Sequence, residues 1–256
     1  MRAHELDLRK LNSMTKYPSI ETLHVIEKGR LQERSNGALP AAKVVATEKV
    51  DGTNTRIICF PDRSYLIGSR EELLHFRGDL VFNPTLGIVE AVREVAERLS
   101  ARAEADRLVV WFGETYGGSI QSAGQYTAEH RTGFRVFDVM VLSAALVATR
   151  LGLELDAIAR WRDGGGQPFV SDEELAARTT ERHLQRTPVL WEGEGAALPA
   201  TLAATFEFLR TKAPSTRCRI DTGTGSAEGL VLRTEDRRWI RKARFEDYER
   251  TLKRDQ

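Results

Sequence analysis

Cysteine is nearly absent from this chain of 256 residues. The two present, Cys59 and Cys218, lie far apart and neither belongs to a CxxC pair. That excludes a disulfide framework and fits a reducing compartment. Histidine is sparse too. His4, His24, His75, His130 and His183 are scattered, and none pairs with another at zinc-ligand spacing. Each is expected at the surface or lightly packed. No apolar run approaches the roughly 18 residues a membrane span needs. The opening MRAHELDLRK lacks the apolar centre of a signal peptide. The expected setting is therefore cytoplasmic, with no membrane partner. An excess of one charge is also missing. With 38 basic and 37 acidic residues the net charge is +1, so only a local patch could mark a nucleic-acid surface. Repeats, low-complexity tails and Pro/Ser linkers are absent.

What is present is ordinary for a protein that buries a core: 41% apolar and 29% charged residues. Strands are expected at 43–49, 55–60 and 64–69, the last two joined by the turn PDR. Ile88, Val92, Val95, Ala96 and Leu99 recur at helical spacing and predict a helix over 86–103. Strands follow at 107–114 and 134–142. The polar, glycine-containing stretch between them reads as a loop over a site. Helices are expected at 153–161, at 171–178 behind a Ser N-cap with acidic residues in its first turn, and at 198–211. Strands return at 228–234 and 238–244, and a basic helix covers 245–254. Strands, helix, strands, helices, strands, helix is the order of an α+β fold with largely antiparallel sheets.

One short stretch carries chemistry. In TEKVDGTN (47–54) a lysine lies between two carboxylates, Glu48 and Asp51, before a glycine turn. A free lysine amine titrates near about 10.4 and is almost all ammonium at neutral pH. A nucleophilic lysine needs nearby positive charge, from a metal or basic side chains, to lower that value. Glycine after it lets a phosphate approach. KxDG alone is short and is also what a strand ending in an Asp-Gly turn looks like. The glycine-rich DTGTGSAEG (221–229) is neither GxxxxGK[ST] nor GxGxxG between strand and helix, so it reads as a flexible lead into the next strand. The triple glycine at 164–166 reads as a plain loop.

Further motifs follow Lys49 in order: GSR with Ser69 and Arg70, WFGE ending in Glu114, FRVFDV with Phe137 and Asp138, EGLV with Glu228 and Gly229, and RKAR with Lys242 and Arg244. This set, spanning residues 49 to 244, resembles the covalent nucleotidyltransferase superfamily of ATP-dependent RNA and DNA ligases and mRNA capping enzymes. The GTN after the lysine motif, with Asn54, and the upstream KYPSIE (16–21) are similar to the phage T4 RNA ligase 2 type. Two departures stand out. Arg244 replaces a usual second lysine, and a guanidinium is a rigid fork where an ammonium is a point charge. Only a dozen residues follow it, so the expectation is one nucleotidyltransferase domain over 1–256 without a C-terminal OB or helical domain.

The resemblance implies antiparallel sheets flanked by helices with a nucleotide pocket between them. It implies an ATP-dependent RNA ligase of RNA repair, joining 3′-OH and 5′-phosphate ends. Lys49 would attack the α-phosphate of ATP and carry AMP. Glu114 and Glu228 would hold Mg2+ or Mn2+, since hard cations take carboxylate oxygen. Lys242 and Arg244, at period two, would reach one phosphate. Arg70 would contact the ribose or the end phosphate, Phe137 would stack on adenine, Glu48 would lie near the base, and Asn54 would orient the 5′-phosphate. Asp51 belongs to the lysine motif itself. Each has a plainer reading: Phe137 as core, Glu114 as a cap or surface acid, Arg70 as a solvated turn, and Lys242 and Arg244 as a charged strand edge. One site explains all of them together. The rivals are a DNA nick ligase, a GTP-dependent capping guanylyltransferase, and an adenylylation module that needs a protein partner to bind RNA ends. Basic residues between Arg233 and Arg254 interleave with Trp239, Phe245 and Tyr248, which fits either an amphipathic helix packing its aromatics down or a salt-sensitive contact with a phosphate backbone.

Overall fold

The computed structural model describes residues 2–76, 79–80 and 87–253. Helix α1 (Leu8–Thr15) precedes a hairpin of β1 (His24–Glu27) and β2 (Arg30–Ser35). Strands β3 (Lys43–Lys49), β4 (Thr53–Cys59), β5 (Tyr65–Ser69), β6 (Leu73–Phe76) and β7 (Asp79–Leu80) lead to helix α2 (Ile88–Ala101). Strands β8 (Arg107–Gly117) and β9 (Thr132–Ser143) come next, then helices α3 (Ala144–Leu151), α4 (Leu155–Asp163) and α5 (Asp172–Glu181). Strand β10 (Val189–Glu194) and helix α6 (Leu202–Lys212) are followed by β11 (Gly229–Thr234), β12 (Ile240–Arg244) and helix α7 (Phe245–Leu252). The first residue of the helix expected at 86–103 and the last of that expected at 245–254 lie outside the described residues.

Two antiparallel sheets dominate. The larger runs β7-β6-β5-β4-β8-β9 and the smaller β10-β3-β11-β12. The apolar runs IICF (57–60) and LVVWF (108–112) are explained by burial of the large sheet on both faces. Ile57, Cys59, Val109 and Trp111 pack under α2 through its Ile88, Val92, Ala96 and Leu99 stripe. Their sequence neighbours Ile58, Phe60, Val110 and Phe112 pack under α1, α3 and α4 through Leu11, Met14, Val147 and Ile158. Each such side chain contributes roughly 1.5–3 kcal/mol on burial. The small sheet has its own core, with Val44, Ala46, Leu230 and Leu232 against Leu209 of α6 and Tyr248 of α7. The terminal helix thus packs its tyrosine down. No described helix is long and apolar enough to cross a membrane.

His24 and His75 depart from expectation, since both are buried, and His24 is the deeper of the two. It is fully buried, with Nδ1 2.8 Å from Tyr248 Oη. The α+β architecture with antiparallel sheets is as expected.

Candidate active site

A cleft of about 420 Å³ opens between the two sheets, within the roughly 300–1,000 Å³ of small-molecule sites. Strand register explains its lining. On the small sheet Lys49 pairs with Gly229, and Gly229 with Arg244, while Thr47, Val231 and Lys242 form the next row. On the large sheet Asn54 pairs directly with Glu114. Two motif glycines make these approaches possible. A Cβ at Gly229 would lie 2.0 Å from Ala243 O, and one at Gly52 2.4 Å from Thr115 O. Larger residues at either position would push apart the strands that hold the lysine.

All ten residues singled out from the sequence border this cleft: Glu48, Lys49, Asp51, Asn54, Arg70, Glu114, Phe137, Glu228, Lys242 and Arg244. Their surroundings differ. Lys49 Nζ is ion-paired with Glu228 Oε2, both side chains partly exposed. Glu228 precedes β11 and is tied by its N–H to Lys49 O at 3.2 Å. Glu114 was expected at a strand end. It lies inside β8, which continues to Gly117. Its carboxylate makes no hydrogen bond or ion pair among the described residues. Desolvation pushes it up to about 8, Lys49 works against that, and Glu228 and Asp51 add to it. The Asn54 Oδ1 is buried without a partner among the described residues.

The two cations of β12 also differ. Arg244 holds Asp247 through Nε at 2.8 Å and Nη2 at 2.9 Å, and that pairing raises its pKa. Lys242 has no carboxylate partner among the described residues. Burial lowers its pKa, helped by Arg244, Lys49 and Arg70. Arg70 is exposed and donates to Ser19 Oγ at 2.8 Å. Phe137 sits edge-on to Tyr17, ring centroids 5.0 Å apart. The carboxylate of Glu48, expected near a base, is engaged on both oxygens: Thr216 Oγ1 donates to one and Arg217 N, at 2.7 Å, to the other. It ties β3 to the segment before β11.

The family comparison is decisive at this point. The RNA ligase family model matches residues 42–253. The chain belongs to the RNA ligase family. No curated protein matches the sequence. Solved structures similar in fold include the Naegleria gruberi RNA ligase with PPi, at 16% identity and TM-score 0.60, covering 94% of this chain and 59% of that one. A lysine-to-alanine variant of that ligase with ATP and Mn superposes at 16% identity and TM-score 0.56, over 91% of this chain and 61% of that one. A glutamate-to-alanine variant with AMP and Mn gives 16%, 0.56, 91% and 62%. This RNA ligase family chain spans about six tenths of the length of those ligases.

Several cleft residues were not reached from the sequence. Tyr17, Pro18 and Ile20 contribute one rim. KYPSIE was noticed only as a likeness, although a tyrosine beside a proline in a polar segment is a usable signal. Thr187 borders the cleft from a segment whose backbone bridges both sheets, Thr187 N to Val136 O and Glu48 N to Pro188 O, each 2.9 Å. Nothing in TPVL marks it. Asp138, named with Phe137 in the FRVFDV motif, does not border the cleft: it is fully buried and accepts from Tyr17 Oη at 3.0 Å and from Arg237 Nε.

Proposed function

We propose that this member of the RNA ligase family seals RNA 3′-OH and 5′-phosphate ends with ATP, through AMP carried on Lys49. The observation that carries the reading is the register: one lysine at a strand end, with two cations and the acid preceding β11 brought beside it on the small sheet, and a second acid, Glu114, brought to the same cleft by the large one. The reading treats residues 1–256 as one nucleotidyltransferase domain, because both sheets wall that cleft.

The first transfer forms a P–N bond. Lys49 must part from Glu228 and give up a proton before its nitrogen attacks the α-phosphorus. The bond to the bridging oxygen breaks and pyrophosphate leaves. The AMP then passes to a 5′-phosphate oxygen, freeing Lys49. A 3′-hydroxyl finally attacks the 5′-phosphorus, a phosphodiester forms and AMP departs. Such steps depend on in-line placement and charge stabilisation. Lys242, without a carboxylate of its own, is placed to meet phosphate. Arg244, aligned by Asp247, supplies a directed second cation. Arg70 serves the ribose or the end phosphate, Asn54 the end phosphate, and the Phe137 ring, edged by Tyr17, a base face.

A divalent cation fits the donors present. Among the described residues no three His, Cys, Asp or Glu gather as a cage. Glu114 and Glu228 offer two hard oxygen donors, and Mg2+ is commonly held by one or two carboxylates plus substrate phosphates. The unpaired, desolvated Glu114 is a group that a cation relieves. Glu114 and Glu228 would hold Mg2+ or Mn2+, which would neutralise charge on the phosphates. The cytosolic setting is part of the proposal, and the two buried free thiols are compatible with it.

Incubation with labelled ATP or GTP, a divalent cation, and either 5′-phosphate RNA or nicked DNA tests the reading. ATP labels the protein and RNA ends are joined. Labelling by GTP, or sealing of DNA alone, contradicts it. Labelling without joining would move RNA binding to a partner protein.

A further inference from the structure

The loop between β8 and β9 reaches back to the turn that follows Lys49. Ser122 Oγ donates to Asp51 Oδ2 at 2.6 Å, and Gln121 Nε2 donates to Asp51 Oδ1 at 3.1 Å. The backbone N–H of Asp51 donates to Tyr126 Oη at 2.7 Å. Each carboxylate oxygen of Asp51 thus has its own donor from one loop.

Two other observations show that these donors are held in place. Ser122 adopts φ 57°, in the left-handed region that a non-glycine residue enters at a cost. Strain of that kind persists where the surroundings enforce it, and it gathers at functional sites. The loop is also anchored just beyond. Tyr126 is fully buried with Val50, Tyr116 and Cys218. Asp221 accepts from Thr127 Oγ1 at 2.5 Å, Ala128 N at 2.7 Å, Glu129 N at 3.3 Å and Gly223 N at 3.2 Å. The Thr127 hydroxyl and these amides hold the Asp221 carboxyl down at about 2. Residues 126–129 are pinned, and 121–122 project from the pinned end onto Asp51.

Asp51 lies two residues beyond Lys49 and borders the same cleft. A loose carboxylate there would be a second ion-pair partner for the amine. Lys49 instead pairs with Glu228 and, among the described residues, with no other carboxylate. We infer that Gln121 and Ser122 are positioning residues that hold the Asp51 carboxylate off the Lys49 amine and fix the turn after it for AMP transfer. They form and break no bond. The inference rests on the adenylylation of Lys49 proposed above.

Single-turnover labelling with ATP and Mg2+ separates maximal rate from the half-saturating ATP concentration. Replacing both donors (Gln121→Ala with Ser122→Ala) is expected to lower the maximal rate about tenfold, while half-saturation moves less than about threefold. Ser122→Asn keeps a donor and tolerates left-handed φ, so it recovers most of the rate. Ser122→Gly eases φ but has no donor, and it does not recover it. In an Asp51→Ala background, removing the two loop donors has no further effect, because they act through Asp51. Equal rates for wild type and the donor-free protein, or Gly serving as well as Asn at position 122, would overturn the inference. Gly and Asn both fit the loop backbone, so that contrast reads even where the alanine pair impairs folding. If wild type itself takes up no AMP, it is the proposed function that fails.

Discussion

Arg233 and Lys242 lie on neighbouring strands of the small sheet and live in different electrical surroundings. Arg233 is almost fully buried and contacts Asp172 and, at 3.7 Å, Asp138. Arg186 adds to Asp172 at 2.6 Å, and Arg237 to Asp138 while lying 3.5 Å from the Phe169 ring centroid. This network joins the large sheet to the small one beside the cleft, which Arg233 also borders, and each of its three guanidiniums has a carboxylate partner. At the cleft itself Lys242, Glu114 and Asn54 Oδ1 have no such partners among the described residues. The lesson is that the charges holding the walls together are satisfied within the chain, whereas the cleft mixes paired groups such as Lys49, Glu228 and Arg244 with these three that have no partner among the described residues.

That contrast can be broken in four places. The largest effect is expected beside the cleft. Asp138→Ala strands Arg237 and the Tyr17 hydroxyl in the interior, and about 3–5 kcal/mol of stability should be lost in denaturant unfolding. At the cleft, Lys242→Ala should leave stability almost unchanged and lower the maximal rate of AMP transfer about 10²–10³-fold in single-turnover labelling. Arg244→Ala should cost less in that assay, since Asp247 already offsets much of the Arg244 charge. A larger loss for Arg244 would erase the distinction between the two cations. Phe137→Ala should raise half-saturating ATP about tenfold and change the maximal rate less than about threefold, as a stacking contact made equally in both states does.

The smallest effect is on pH. Burial lowers the pKa of His24, so the folded protein keeps it neutral where the unfolded chain would protonate it. The unfolded state binds more protons below about 6.5, so this contribution is present above that pH and fades as pH falls. Thermal midpoints should drop on acidification from neutral, and His24→Gln should flatten that part of the curve.

Much of the fold was legible where pattern and burial agree. The α2 stripe, the strands around the KVDG turn and the Ser171 N-cap, which accepts from Glu174 N at 3.2 Å, all appear where the periodicity puts them. Helix α1 was missed because LRKLNSMT has three apolar residues in eight. Strand β10 was missed because VLWEGE, an edge strand, has neither clean alternation nor a closed apolar run. The ten residues that motifs singled out, each within a few residues of a glycine or strand end, all border the cleft. The pairing of Arg233 with Asp172, 61 residues apart, and the arrival of Ser122 at Asp51, 71 apart, carry no local signal. Glu48 borders the cleft beside the lysine, and the partners of its carboxylate, Thr216 and Arg217, carried no signal in the motif.

The central claim is a covalent bond from one side-chain nitrogen to phosphorus. Intact-mass measurement after incubation with ATP and Mg2+ or Mn2+, followed by peptide mapping, tests it most directly. The account predicts a gain of one AMP, mapped to Lys49 and lost in Lys49→Ala. No gain in the wild-type chain, or an equal gain in the variant, would contradict it.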